Sequence, residues 1–313
     1  MKNILITGGA GYLGSVLVNK LLDKNFNVTV LDNFYFNQFS LADACKYSNF
    51  ELLIGDCRDE NLLKSIIKKF DLVIPLAAIV GAPLSEKVPK LTKEVNEDAI
   101  KLICNLMSNN QCMIMPVTNS GYGSGKKEKI YTEESSLNPI STYGITKVNA
   151  EKIALQRENC ITFRLATVFG MSPRMRLDLL VNNFVYLALN EKKLSIFEGH
   201  FKRNYIHIQD VANVFLFAIE NYSMMKSNIY NFGLEDANLS KLELAKKIQN
   251  HLTELKILED KIRKDPDKRN YIVSNQKILK TGFKMSWSLD KGIVELIKGI
   301  RSIRSSDFFV NDK

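Results

Sequence analysis

Apolar residues along this chain follow two alternating rhythms. Short, nearly continuous apolar runs at residues 3–6, 27–31, 50–54, 72–76, 113–117 and 160–165 read as strands buried on both faces. Between them, residues 15–24, 60–70, 92–107 and a stretch reaching about residue 156 carry apolar side chains three and four apart, the spacing of a helix face; in the second, Leu62, Leu63, Ile66 and Ile67 share that face. Strands alternating with helices imply parallel strands joined by right-handed crossovers, so the expected class is α/β with a doubly wound parallel sheet. Two later amphipathic stretches, 242–252 and 289–300, predict helices of a smaller C-terminal α/β lobe. The expected division is a sheet domain over 1–165, joined by part of 204–220, and a lobe formed mainly by 166–313.

The first strand runs into Thr7-Gly8-Gly9-Ala10-Gly11-Tyr12-Leu13-Gly14. Gly8, Gly11 and Gly14 recur every third residue, as a chain requires where it turns sharply, lets a pyrophosphate approach its backbone and packs a helix start against a strand. The helix that follows aims unpaired N–H groups and its positive dipole end at such a phosphate. Asp32 ends the second strand about 20 residues on, where a ribose-binding acid belongs. A carboxylate there repels a 2′-phosphate, and residues 33–37, which begin with Asn33, bring no Arg or Lys to offset it. NAD is therefore expected over NADP. Asp56, beside Cys57 at the end of the third strand, is a candidate for the adenine amino group, with a helix cap before Glu60 as the alternative. Ala77-Ala78 leaves the fourth strand with side chains small enough for a backbone lying under a cofactor.

Composition narrows the classes. An apolar content of 45% in 313 residues fits a globular protein larger than a mid-sized domain. No apolar run approaches bilayer-spanning length, so no membrane association is expected. Five scattered cysteines without a CxxC spacing suit reduced thiols in the cytoplasm, and three histidines lack ligand spacing, so no metal is expected. The net charge of +9 is spread through helix-like segments, which favours a solvated basic surface over nucleic-acid binding.

Tyr143 and Lys147 stand four apart in a helix pattern, a turn from each other on one face. An ammonium and a positive nicotinamide ring would both favour the phenolate, letting Tyr143 accept a proton from a substrate hydroxyl as hydride leaves the same carbon. With the glycine stretch, this pair makes the chain resemble the extended short-chain dehydrogenase/reductases that act on nucleotide sugars. The resemblance covers nearly the whole sequence and implies a Rossmann fold, an NAD cofactor and a homo-oligomer. It places Tyr12, Leu13, Asn33, Cys57 and Asn96 at the cofactor beside the residues already named. It also makes Thr118, four residues before the pair Tyr122-Gly123, the hydroxyl that holds the reacting sugar oxygen.

Departures from that family are informative. Its 4,6-dehydratases follow the catalytic Thr with Asp-Glu, and this chain has Asn119 and Ser120; its 3,5-epimerases carry a Cys at the second of these positions and a His further on, whereas here the matching residue is Ser120 and no His lies between Tyr143 and His200. Asn119 and Ser120 are accordingly expected to contact substrate without titrating. Two reactions remain open, a C4 epimerisation and a C4 dehydrogenation, and a non-catalytic NAD-binding regulator is a further alternative. Residues 80–84, 118–123 and 173–180 resemble those of the family's dehydrogenases for GDP-D-glycero-α-D-manno-heptose in capsule synthesis. That likeness implies oxidation of C4 of a GDP-sugar, with 2-oxoglutarate as a candidate second hydride acceptor. Arg174, Arg176, Arg203 and Arg269 are the expected phosphate ligands on the substrate side.

Overall fold

The computed structural model describes residues 2–37, 39–124, 129–260, 270–303 and 309–311. Its centre is a sheet of seven parallel strands, β1 (Asn3–Thr7), β2 (Asn27–Asp32), β3 (Phe50–Ile54), β4 (Leu72–Pro75), β5 (Cys112–Thr118), β6 (Cys160–Leu165) and β7 (Asn228–Phe232), in the order β7-β6-β5-β4-β1-β2-β3. Alternation along β1 sends Ile4 and Ile6 into one core layer and Leu5 into the other, and all three are fully buried. Burial of each such side chain contributes about 1.5–3 kcal/mol, which is why both faces must be covered by helices.

Among the described residues, the α-helices of seven residues or more are α1 (Gly14–Asp23), α2 (Glu60–Ile66), α3 (Ala99–Leu106), α4 (Thr142–Ala154), α5 (Leu180–Asn190), α6 (Ile208–Glu220), α7 (Lys241–His251) and α8 (Leu289–Ile300). Several begin on side-chain caps that the local sequence supplies. Asp59 accepts from Leu62 N ahead of α2, Ser141 from Gly144 N ahead of α4, and Ser240 with Glu243 forms a capping box at α7. Where one helix is expected over 92–107, the chain forms a short helix (Pro89–Lys93), a π turn (Glu94–Asp98) and then α3.

The seventh strand is an addition to the six that the apolar pattern predicts. Asn228 and Asn231 interrupt that pattern, but Asn231 is fully buried with its polar atoms matched: its Oδ1 accepts from the Tyr122 hydroxyl at 2.6 Å and its Nδ2 donates to Ser274 O at 3.2 Å. Beside the central sheet stand a three-stranded sheet (Asn238–Ser240, Lys202–His207, Thr167–Phe169) and α5, α7 and α8, which share one continuous apolar core with α1 and α6. No helix among the described residues is long and apolar enough to cross a membrane.

Candidate active site

The strand order reverses between β1 and β4, and the crevice beyond the carboxyl ends of these strands is where doubly wound sheets bind ligands. Gly8 follows β1 there with φ +75°, and a Cβ on it would stand 2.4 Å from Ala77 N, so both conformation and space require glycine. At Gly14 a Cβ would meet Gly9 O at 2.5 Å, which fixes how closely α1 starts against the turn. The backbone at the switch point is therefore bare of side chains at Gly8 and Gly14.

Two clefts meet over this turn and share Gly8, Gly11, Phe36, Leu76, Ala78 and Arg174. The first, ≈ 860 Å³, is lined also by Asp32, Asn33, Asp56, Cys57 and Ala77, so most of the expected adenosine-side residues come together. The Asp32 carboxylate accepts from Ala10 N at 2.9 Å and Phe34 N at 2.8 Å, one bond per oxygen, and burial raises its pKa against these bonds. Each oxygen keeps lone-pair capacity for a ribose hydroxyl. Asp56 is not the helix cap, a role taken by Asp59; its carboxylate is gripped by the Arg58 guanidinium and Asn33 Nδ2, and Arg58 holds it below the usual carboxylate range. Arg58 also pairs with Glu94 at 2.6 Å. This cleft residue escaped the sequence reading, where its i+2 spacing from Asp56 was the available signal. Burial, then Asp56, push the Cys57 thiol up to about 12, so it stays protonated.

Asn96 does not line either cleft, contrary to the expected cofactor contact. Its buried amide is consumed by Ile79, accepting from Ile79 N at 2.8 Å and donating to Ile79 O at 3.0 Å, so it shapes the cleft through that backbone.

The second cleft, ≈ 1230 Å³, holds Tyr12, Leu13, Gly14, Thr118, Ser120, Tyr143 and Lys147. Tyr143 and Lys147 lie on α4 as their spacing predicts. Lys147 is 4% exposed, and burial, opposed by Glu151 one turn further on, lowers its ammonium to about 8. Glu151 in turn is locked by Arg164, which donates from Nη2 at 2.8 Å and from Nε at 3.1 Å to each carboxylate oxygen. Thr118 ends β5, donates to Ser120 Oγ at 2.8 Å and accepts from Ser120 N at 3.1 Å. Asn119, although predicted to contact substrate, is 1% exposed and absent from the cleft wall, because successive side chains of a 3₁₀ turn point about 120° apart.

Among the arginines, Arg174 and Arg176 line this cleft, whereas Arg203 does not and stands 6.0 Å from the ring centroid of Tyr271. Tyr271 itself lines the cleft, and nothing in the local sequence signals it. Arg269 falls outside the described residues. The loop carrying Arg174 and Arg176 is fastened by Asn182, which accepts from Gly170 N at 3.0 Å and donates to Arg176 O at 2.8 Å and the Tyr12 hydroxyl at 3.1 Å. Bare backbone at Gly8, the spare acceptor capacity of Asp32 and a buried cationic guanidinium between the clefts are all features that a dinucleotide fits.

Comparison with known proteins agrees with this geometry. The chain is 31% identical over 274 residues to the dTDP-D-glucose 4,6-dehydratase of Dictyostelium discoideum, covering 80% of this chain and 62% of that one. It is 29% identical to the UDP-glucose 4-epimerase of Lactobacillus helveticus, covering 78% and 81%. Its fold superposes with a TM-score of 0.83 on the dTDP-glucose 4,6-dehydratase of Bacillus anthracis in complex with NAD, at 22% identity and over 97% of this chain and 98% of that one. A profile of the NAD dependent epimerase/dehydratase family matches residues 4–233, and with a switch-point cleft built for NAD this chain belongs to that family.

Proposed function

We propose that the protein oxidises C4 of a nucleotide-linked sugar to the 4-keto sugar. One observation carries the choice of redox chemistry at C4 over dehydration or 3,5-epimerisation: among the described residues lining the second cleft there is no carboxylate, thiol or imidazole. Expelling water or moving a proton beside the ketone needs such a group. Tyr143 is placed to take the hydroxyl proton, Lys147 favours its phenolate, and Thr118 holds the same oxygen after its hydroxyl turns from Ser120. NAD, when bound, supplies the hydride acceptor. Relatives named for UDP-glucose and dTDP-glucose chemistry support a nucleotide sugar. GDP-D-glycero-α-D-manno-heptose is the proposed substrate on the resemblance of residues 80–84, 118–123 and 173–180.

A C4 epimerase is the second reading, favoured by the identity shared with proteins named UDP-glucose 4-epimerase. It needs the ketone to turn over and be reduced on its other face in the same cleft. Mass spectrometry of GDP-, UDP- and dTDP-sugars incubated with stoichiometric protein, NAD and 2-oxoglutarate separates the two. A loss of two hydrogens from one sugar supports the dehydrogenase. Unchanged mass with an altered sugar spectrum supports the epimerase, and loss of water overturns the argument from the cleft lining.

A further inference from the structure

The two arginines of the 172–178 loop are not equivalent. Arg176 spends its charge locally, donating from Nε and Nη2 to the two oxygens of Asp178. Arg174 is 2% exposed, and no carboxylate among the described residues pairs with it; its Nε is buried without a hydrogen-bond partner. Its guanidinium lies 4.3 Å from the ring centroid of Phe36. An unpaired buried cation is costly unless a ligand completes it.

Two further features say where that ligand sits. The loop is clipped to the start of α1, with Ser172 Oγ donating to Tyr12 O at 2.7 Å and lying 3.0 Å from Ser15 Oγ, and Arg174 lines both clefts together with Gly8 and Gly11 of the turn. From the other side the described C-terminal residues 309–311 lie against the loop. Phe309 O accepts from Leu177 N at 2.6 Å, and Asn311 Oδ1 accepts from Arg174 Nη2. Asn311 is 8% exposed and lines the second cleft.

We propose that Arg174 is the counter-charge of the cofactor's pyrophosphate, not of the sugar nucleotide's diphosphate, and that Asn311 is the positioning residue which aims it. Asn311 is thereby a working part of the dinucleotide site. Burial, then the neighbouring Arg176, lower the Arg174 guanidinium to about 10, against an ordinary value above 12, a shift that an anion beside it would oppose. A pyrophosphate lying along the turn receives the N–H groups of α1 from one side and Arg174 from the other. The proposal requires only that NAD binds and is independent of which sugar is oxidised.

The test is competition of ADP-ribose and of adenosine against NADH fluorescence on the full chain. Arg174→Gln is expected to weaken ADP-ribose about ten- to a hundredfold, the range for hydrogen bonds to a charged group, and to leave adenosine within twofold. Asn311→Ala is expected to weaken ADP-ribose roughly three- to tenfold, an effect that vanishes in the Arg174→Gln background because the two act in series. Equal losses for adenosine and ADP-ribose would mean damage to the pocket and overturn the proposal. So would unchanged ADP-ribose affinity with weakened binding of GDP or UDP, which would give Arg174 to the substrate. Should Arg174→Gln fail to fold, Asn311→Ala decides alone: selective loss of ADP-ribose upholds the proposal and retained affinity ends it.

Discussion

Glu151→Gln tests the electrostatics beneath the catalytic pair. Glu151 is 2% exposed and stands one helical turn from Lys147, whose ammonium it supports against burial. Side chains four apart on a helix have Cβ atoms about 6 Å apart, and unit charges at that distance interact by ~2.8 kcal/mol at an effective dielectric of about 20. Arg164 on the same carboxylate cancels part of this, leaving an effect of order one pH unit. The sign is definite: removing the negative charge lowers the Lys147 pKa further below about 8. The ammonium that favours the Tyr143 phenolate is then lost at lower pH. The alkaline limb of kcat/KM for the free enzyme should move down by about one unit in the variant. The same substitution leaves Arg164 without its anion, costing about 3 kcal/mol, which denaturant unfolding will register. A pH profile identical to the parent's, together with that loss of stability, would refute the electrostatic link and reduce Glu151 to a structural partner of Arg164.

Tyr143→Phe is expected to cut kcat by about 10²- to 10⁴-fold, and a near-normal rate would remove Tyr143 as the base. NADH titration will show Gly8→Ala binding weakly or not at all, since φ +75° strains an L-residue by about 1–2 kcal/mol and its Cβ lies 2.4 Å from Ala77 N. Retained affinity would contradict the close approach at the switch point. Asn182→Ala orphans the buried Gly170 N–H and should destabilise the chain by about 1–3 kcal/mol in denaturant unfolding while raising KM for the nucleotide sugar. An unchanged midpoint would show that the 172–178 loop is held by other means.

What the sequence by itself determined is what depends on near neighbours along the chain. The strand and helix alternation, the glycine turn, Asp32 at the end of β2 and the shared face of Tyr143 and Lys147 all follow from periodicity and short spacings, and the structure puts Gly8, Gly11, Asp32, Tyr143 and Lys147 on the cleft walls. Tertiary structure decided the fate of polar residues whose partners are remote. Asn231 closes a strand because Tyr122 reaches it from 109 positions away, and Asn96 leaves the cofactor for Ile79 across 17 positions. Arg174 and Arg176 are two residues apart and look alike in sequence, yet one is neutralised by Asp178 and the other meets Asn311 from 137 positions away. A buried polar group must find a partner wherever the folded chain supplies one, and that choice is made by the packing of whole elements and not by the local pattern.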